Sequence, residues 1–259
     1  MSERVKVAAD AIVFDLGNTL IADPRAAVIG RIAERCVRKL SRWSRTVHPG
    51  VFSQAWLAAD AEIHGRYWSH FMQEEPILQR ALRKLEISRE VRALVAPELL
   101  SLYRKSLRKY LWKEYDASAV QNALRLLKKA SKLLMVFSDD REIGTENMLR
   151  WAGLLQFFRP NTYCSEQLGL EKGEAGLFEL LFEKIKALRP GITPDRVVHV
   201  GDVQSKDIDP AKDANWRAVL YRPPSHKEQS AVWRNYSEPV RHSPDAIATN
   251  WRQLGELIE

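Results

Sequence analysis

Ala11-Ile12-Val13-Phe14-Asp15-Leu16-Gly17-Asn18-Thr19-Leu20 is an apolar run that ends on a carboxylate and then breaks at a Gly-Asn pair. An apolar stretch with β-branched residues, stopped by a turn signal, predicts a short buried strand over residues 10–14. Three further polar signals follow in order, each at the end of a strand-like segment or in the loop after one. Ser138 closes Leu133-Leu134-Met135-Val136-Phe137, and Lys172 sits in Gly169-Leu170-Glu171-Lys172. Asp202 and Asp207 follow Arg196-Val197-Val198-His199-Val200-Gly201. A nucleophilic carboxylate, a hydroxyl, a lysine and a metal-binding acidic pair make up a phosphoryl-transfer kit. The carboxyl ends of parallel strands can gather them at one edge of a sheet.

Outward from the first strand, Asp23-Pro24 predicts a helix start, with Asp23 as N-cap and Pro24 at the first helical position. Ile29, Ile32, Ala33, Cys36, Val37 and Leu40 recur at helical spacing, and His48-Pro49-Gly50 is the expected end of that helix. Segments 51–73, 76–85, 88–95 and 97–112 also read as helical. From Asp116 the pattern alternates: helix 116–130, strand 132–137, helix 143–153, a short strand near 161–164, helix 174–188, strand 196–200, helix 208–214 and strand 216–221. Residues 222–243 read as a long surface loop, before a strand at 246–249 and a helix at 251–258. Alternation of this kind predicts an α/β fold, a doubly wound parallel-sheet, Rossmann-like core. The expected domains are a catalytic core of residues 1–22 and 116–259 and an inserted all-helical cap of residues 23–115.

The 259 residues suffice for one large domain or two modest ones, and 45% hydrophobic with 28% charged residues excludes a disordered chain. No apolar run reaches the roughly 20 residues of a membrane helix, and the N-terminus has no apolar signal core. Cys36 and Cys164 lack metal-ligand spacing and read as buried thiols, so the expected location is the cytoplasm. The net charge of +7 is uneven: residues 24–114 hold 18 Lys and Arg against 9 Asp and Glu, while the rest holds 22 against 24. Most of these cations read as solvated helix faces; any turned to a cleft would attract an anionic substrate. No basic-aromatic motif argues for nucleic acid. Trp43, Trp56, Trp68 and Trp112 read as core of the helical insertion.

Taken together, Asp15-Leu16-Gly17-Asn18-Thr19, Phe137-Ser138, Lys172 and Gly201-Asp202-x4-Asp207 resemble the four motifs of the haloacid dehalogenase superfamily, in order and over nearly the whole chain. The helical insertion after the first motif is similar to that family's smaller cap. Singly, each residue has an ordinary role as helix cap, turn residue or solvated charge; the ordered set of four argues against chance. The resemblance implies a Mg2+-dependent phosphatase of a small anionic phosphorylated substrate. Asp15 would be the nucleophile, giving an aspartyl-phosphate. Ser138, Asp139 through its backbone amide, and Lys172 would hold the phosphoryl group. Asp15, the Gly17 carbonyl, Asp202 and Asp207 would hold the metal, with Asp207 a further or water-mediated ligand.

One position departs from the pattern. Phosphatases of the family place a second Asp, the general acid, where this chain has Gly17. General acid–base catalysis is worth about 10²–10⁴-fold, so a good leaving group or a substitute acid is implied, with Asp23, Asp139 or a cap residue as candidates. Asp140 and Glu142 read as helix-start charges. Two alternatives stay open: a catalytically degenerate member that binds a phosphorylated ligand or partner, and a related C–P or C–halogen bond hydrolase.

Overall fold

A computed structural model of the chain describes residues 6–44, 46–64, 74–223 and 240–259. The strands are β1 Ala11–Asp15, β2 Leu133–Ser138, β3 Thr162–Cys164, β4 Val197–Gly201, β5 Arg217–Tyr221 and β6 Ala246–Ala248. They form one sheet in the order β3-β2-β1-β4-β5-β6, with every neighbouring pair parallel. All five residues of β1 and of β4 are buried. That is the signature of strands covered on both faces, and it explains why they read as unbroken apolar runs. The expected doubly wound α/β core is therefore present.

The chain divides into two compact units, Asp23–Tyr115 and the segments on either side of it. The first holds α1 Arg25–Leu40, α2 Pro49–His64, α3 Glu74–Lys84 and α4 Arg89–Lys113. Its start lies one residue later than expected: Pro24 is at the cap, and the Asp23 carboxylate accepts from the Arg25 amide at 2.9 Å. His48-Pro49-Gly50 does not end α1, which stops at Leu40; Pro49 opens α2. A proline without an N–H fits a first turn, where that donor has no partner anyway. The two helices expected around Pro97 are one helix, α4, with Pro97 on its exposed side. Trp56 is core, with Phe52 edge-on to its ring and Tyr103 tilted against it. Trp43 and Trp112 are instead 58% and 67% exposed, because each lies off the buried stripe of its helix region. Residues 65–73, with Trp68, and 224–239 of the expected loop lie outside the described residues.

The second unit adds α5 Ser118–Lys129, α6 Glu142–Trp151, α7 Ser165–Leu168, α8 Leu177–Leu188, α9 Asp209–Asp213 and α10 Trp251–Leu257. Ala11 and Val13 of β1 pack on the side of Leu177, Phe178, Leu181 and Ile185 of α8, with Trp216 beside them. Phe14 points to the other face, against Phe158 and Trp251 of α10, with ring centroids 6.0 and 5.9 Å away. By this alternation Asp15 shares the α8 face. The helix expected over 208–214 is present as α9, Asp209–Asp213, and one turn of π-helix, Gln204–Ile208, precedes it. From β1 the chain winds out to β2 and β3, then returns to β4 on the opposite side. The switch point between β1 and β4 is where such sheets bind ligands.

Pro97 leaves the Ala93 carbonyl without its helical donor. Pro97→Ala is expected to stabilise α4, by up to the ~3 kcal/mol that separates the two residues in a helix interior. A thermal melt should rise by about 2–4 °C per kcal/mol gained; an unchanged or lower midpoint would show that the helix is built around the proline.

Candidate active site

The register of three central strands assembles the site. Asp15 pairs with Phe137, which puts Ser138 one residue beyond, and Phe14 pairs with Val200, which puts Asp202 two residues beyond. After β1 the chain turns back at once. Asn18, at φ 56°, occupies the left-handed region that asparagine tolerates, and the Asn18 and Ile21 amides donate to the Ile21 and Leu16 carbonyls. Gly17 in that turn is exposed, and a Cβ built on it would meet nothing within 4 Å. The missing side chain is thus not forced by crowding from the protein.

Lys172 lies in the turn before α8 and is fixed through both ends. Its backbone amide donates to Asp139 Oδ1 at 2.8 Å. Its ammonium is buried and donates to Asp15 Oδ1 and, at 2.8 Å, to Asp207 Oδ1. Carboxylate oxygens of Asp15, Asp202 and Asp207 lie within 4.8 Å of one another, a group able to hold a metal ion. The set is crowded with negative charge. Burial raises the Asp15 carboxyl above its ordinary range, against the pull of Lys172. Burial and the neighbouring Asp15 and Asp207 charges push Asp202 well above it. Burial would lower Lys172, but Asp15 and Asp207 outweigh it and hold the ammonium well above the usual lysine value. Three carboxylates around one ammonium leave an excess of negative charge. All-oxygen donors suit a hard divalent cation of the Mg2+ kind.

Asp207 differs from the other two. Burial works against its charge, yet Lys172 and His199 hold its carboxyl well below the usual range. Oδ1 accepts from Lys172 and from His199 Nε2 at 3.0 Å, and Oδ2 accepts from the Val203 amide at 2.9 Å. The π turn brings the carboxylate back beneath β4 in this way. A carboxylate has about four lone-pair sites, so little of Asp207 remains for a metal. His199, in the middle of β4, carried no sequence signal beyond being a polar residue in an apolar run.

Ser138 is buried at the end of β2, and its carbonyl accepts from the Asp140 amide at 2.9 Å, curling the loop. The Asp139 carboxylate serves the protein itself. Besides Lys172 N it accepts from Ser165 Oγ at 2.9 Å and Lys206 Nζ at 2.8 Å. Burial would raise it, but Lys206 and Lys172 prevail and keep it below the ordinary carboxylate range, which makes it a poor proton donor. The Asp23 carboxylate, the other named substitute acid, is clasped by the Arg25 guanidinium at 2.6 Å. Lys206 and Ser165 are further residues that the sequence reading missed; Lys206 lies inside the Gly-Asp-x4-Asp stretch and was legible only as a solvated charge.

A family model described as haloacid dehalogenase-like hydrolase matches residues 9–215. Among solved structures, the chain is similar to a HAD phosphatase from Thermococcus onnurineus, with 18% identity, TM-score 0.59 and coverage of 95% of this chain and 96% of that one. It is similar to YfnB from Bacillus subtilis, a structure bound to magnesium, with 17% identity, TM-score 0.59 and 98% of each chain covered. It is also similar to a 2-haloacid dehalogenase from Pseudomonas syringae, with 22% identity, TM-score 0.58 and coverage of 96% and 97%. No curated protein matches the sequence.

Gly201 is the hinge of this geometry, since a Cβ there would fall on the Asp207 carboxyl. Gly201→Ala is expected to displace Asp207 from His199, Val203 and Lys172. Hydrogen bonds to charged groups contribute about 1.5–3 kcal/mol each, so chemical denaturation should report a loss of at least about 2 kcal/mol. Full stability in this variant would mean that Asp207 can be held another way.

Proposed function

This chain belongs to the haloacid dehalogenase-like hydrolase family, and we propose that it is a Mg2+-dependent phosphoric monoester hydrolase acting on a small phosphorylated metabolite. The observation that carries this reading is the closure of Asp15, Asp202 and Asp207 to within 4.8 Å beside the buried Lys172. A phosphoester dianion repels a carboxylate nucleophile, and only a site that concentrates cations overcomes this. Asp15 and Asp202 are the carboxylates we assign to the metal, with the Gly17 carbonyl beside them and Asp207 behind. Mg2+ bound there would supply charge neutralisation and orientation of the phosphoryl oxygens. The acidic pair also favours phosphoryl transfer over dehalogenation, which needs no cation to screen its nucleophile from an anionic reacting centre.

In this mechanism an Asp15 oxygen attacks phosphorus as the bond to the ester oxygen breaks. The leaving alkoxide takes its proton from water or from an acid outside the first motif. Lys172 balances the charge moving between Asp15 and the phosphoryl group, and Ser138 at the adjacent strand end holds a phosphoryl oxygen. Water then attacks the aspartyl-phosphate, releasing inorganic phosphate and restoring the carboxylate. Among the described residues no helix is long and apolar enough to cross a membrane, and we place the enzyme and its substrate in the cytoplasm.

The nucleophile assignment is tested by Asp15→Asn, nearly the same shape but a far poorer nucleophile. Phosphate release from an activated ester with Mg2+ should fall to background while the thermal midpoint holds or rises, since a buried charge is removed. Retained turnover would exclude an aspartyl-phosphate. Gly17 governs a second test. Without a carboxyl there, rates should fall steeply as the leaving-group pKa increases, aryl and acyl phosphates being cleaved much faster than alkyl ones. Because there is room for a side chain, Gly17→Asp is expected to flatten that dependence; loss of activity with every ester would show instead that the bare backbone is needed at this point.

A further inference from the structure

We propose that His199 is a positioning residue, whose Nε2–H fixes the Asp207 carboxylate in the orientation that aligns Lys172 on Asp15. The inference rests on the reading of this cluster as a metal-holding hydrolase centre and adds a residue outside its four motifs. His199 is fully buried in β4, between Val13 and Ala218 on the neighbouring strands. The Phe178 ring meets it edge-on, with centroids 5.2 Å apart.

The protonation pattern follows from geometry. Both Asp207 oxygens already accept hydrogen bonds, Oδ1 from Lys172 and Oδ2 from the Val203 amide. The hydrogen in the 3.0 Å contact between His199 and Asp207 therefore sits on Nε2. Nδ1 is buried with no hydrogen-bond partner among the described residues. A hydrogen on Nδ1 would be buried without an acceptor, so the donor of this ring belongs on Nε2. A leucine or methionine would fill this core position and leave no orphan nitrogen behind. What histidine adds is one donor, aimed at Asp207 Oδ1. Two donors on Oδ1 and one on Oδ2 fix the plane of the carboxylate. Without His199 the carboxylate can turn about its Cβ–Cγ bond, and the Lys172 ammonium loses one of its two anchors against Asp15.

The test uses the full-length protein and three variants: His199→Leu, which removes the donor; His199→Gln, whose Nε2 reaches a similar place; and His199→Asn, whose amide stops near the orphan Nδ1 position. Mg2+ binding to metal-free protein is measured by calorimetry, and turnover of an activated phosphate ester is split into kcat and KM. In His199→Leu, Mg2+ affinity and kcat should each fall about 10- to 100-fold, the usual loss when a residue that orients the ligands is removed. KM should hold, and the thermal midpoint should drop, because the buried hydrogen bond to the Asp207 carboxylate is lost. His199→Gln should recover most of both losses and His199→Asn should not. The imidazole ¹⁵N shifts of the wild type should report the Nε2–H tautomer. Wild-type Mg2+ affinity in His199→Leu, equal behaviour of the Gln and Asn variants, or an Nδ1–H tautomer would each overturn the proposal. If His199→Leu fails to fold, the Gln and Asn pair decides alone. Absence of any phosphate release by the wild type, with the Mg2+ pattern intact, would sink the phosphatase reading and leave the role of His199 standing.

Discussion

A single buried ammonium facing two carboxylates is the constraint around which the core unit is arranged. Lys172 reaches Asp15 at the end of β1 and Asp207 beyond the end of β4, and its side chain is 4% exposed. Burying three such charges costs several kcal/mol per ion before their attraction is counted, and well-packed apolar residues would often be as stable. Stability therefore does not explain the cluster. Its consequences do: the lysine stays protonated, Asp15 is held in place, and the remaining negative charge makes the position attractive to a cation. A fold that keeps such an arrangement must hold each partner rigidly, because loss of the one ammonium leaves both carboxylates uncompensated.

The sheet provides that rigidity. β1 and β4 are adjacent and parallel, fully buried, and leave the switch point between them at their carboxyl ends. The charged residues reach it from three directions along the chain: the end of β1, the turn before α8, and the loop after β4. The Asp139 carboxylate ties these loops together, because it accepts from the Lys172 amide, from Ser165 at the start of α7 and from Lys206 in the π turn. A carboxylate one residue from the proposed phosphate-binding Ser138 would repel an anion if it were free. Neutralised by two lysines, it becomes the strut on which Lys172 hangs.

Much of this was legible in the sequence because strand ends are local signals. Four apolar runs with β-branched residues, each stopped by a polar or glycine residue, located Asp15, Ser138, Asp202 and the parallel sheet. Lys172 lies in a loop and Asp207 in the π turn, and only the ordered set of motifs singles them out. The misreadings have a common cause. Pro49 and Pro97 read locally as helix breaks, yet Pro49 begins a helix, where its missing N–H is no loss, and Pro97 sits inside α4, whose buried stripe overrides the local cost. Trp43 and Trp112 read as core by residue type, although hydrophobicity constrains the inside far more than the outside. The partners of Asp139 and of His199 were not legible at all. Contacts such as Lys172 with Asp139, 33 positions apart in the chain, depend on where whole loops fold and leave no periodic trace.

Three aspartates of identical chemistry are driven to three different roles by their surroundings alone. Asp207 is saturated with donors and held well below the ordinary range, so it behaves as a fixed negative charge that orients a lysine. Asp15 has one strong partner and is raised by burial, which leaves an oxygen for chemistry and a reason for a second cation to approach. Asp202 is raised well above the ordinary range by burial and then by its like-charged neighbours, and has its own backbone amide as its hydrogen-bond donor among the described residues. It is the carboxylate with the most to gain from a metal and the most lone pairs to give one. The order of decreasing saturation, from Asp207 to Asp15 to Asp202, is therefore the order of increasing availability to a cation. The metal we propose would be held chiefly by Asp202 and Asp15, with Asp207 as the residue that keeps their geometry.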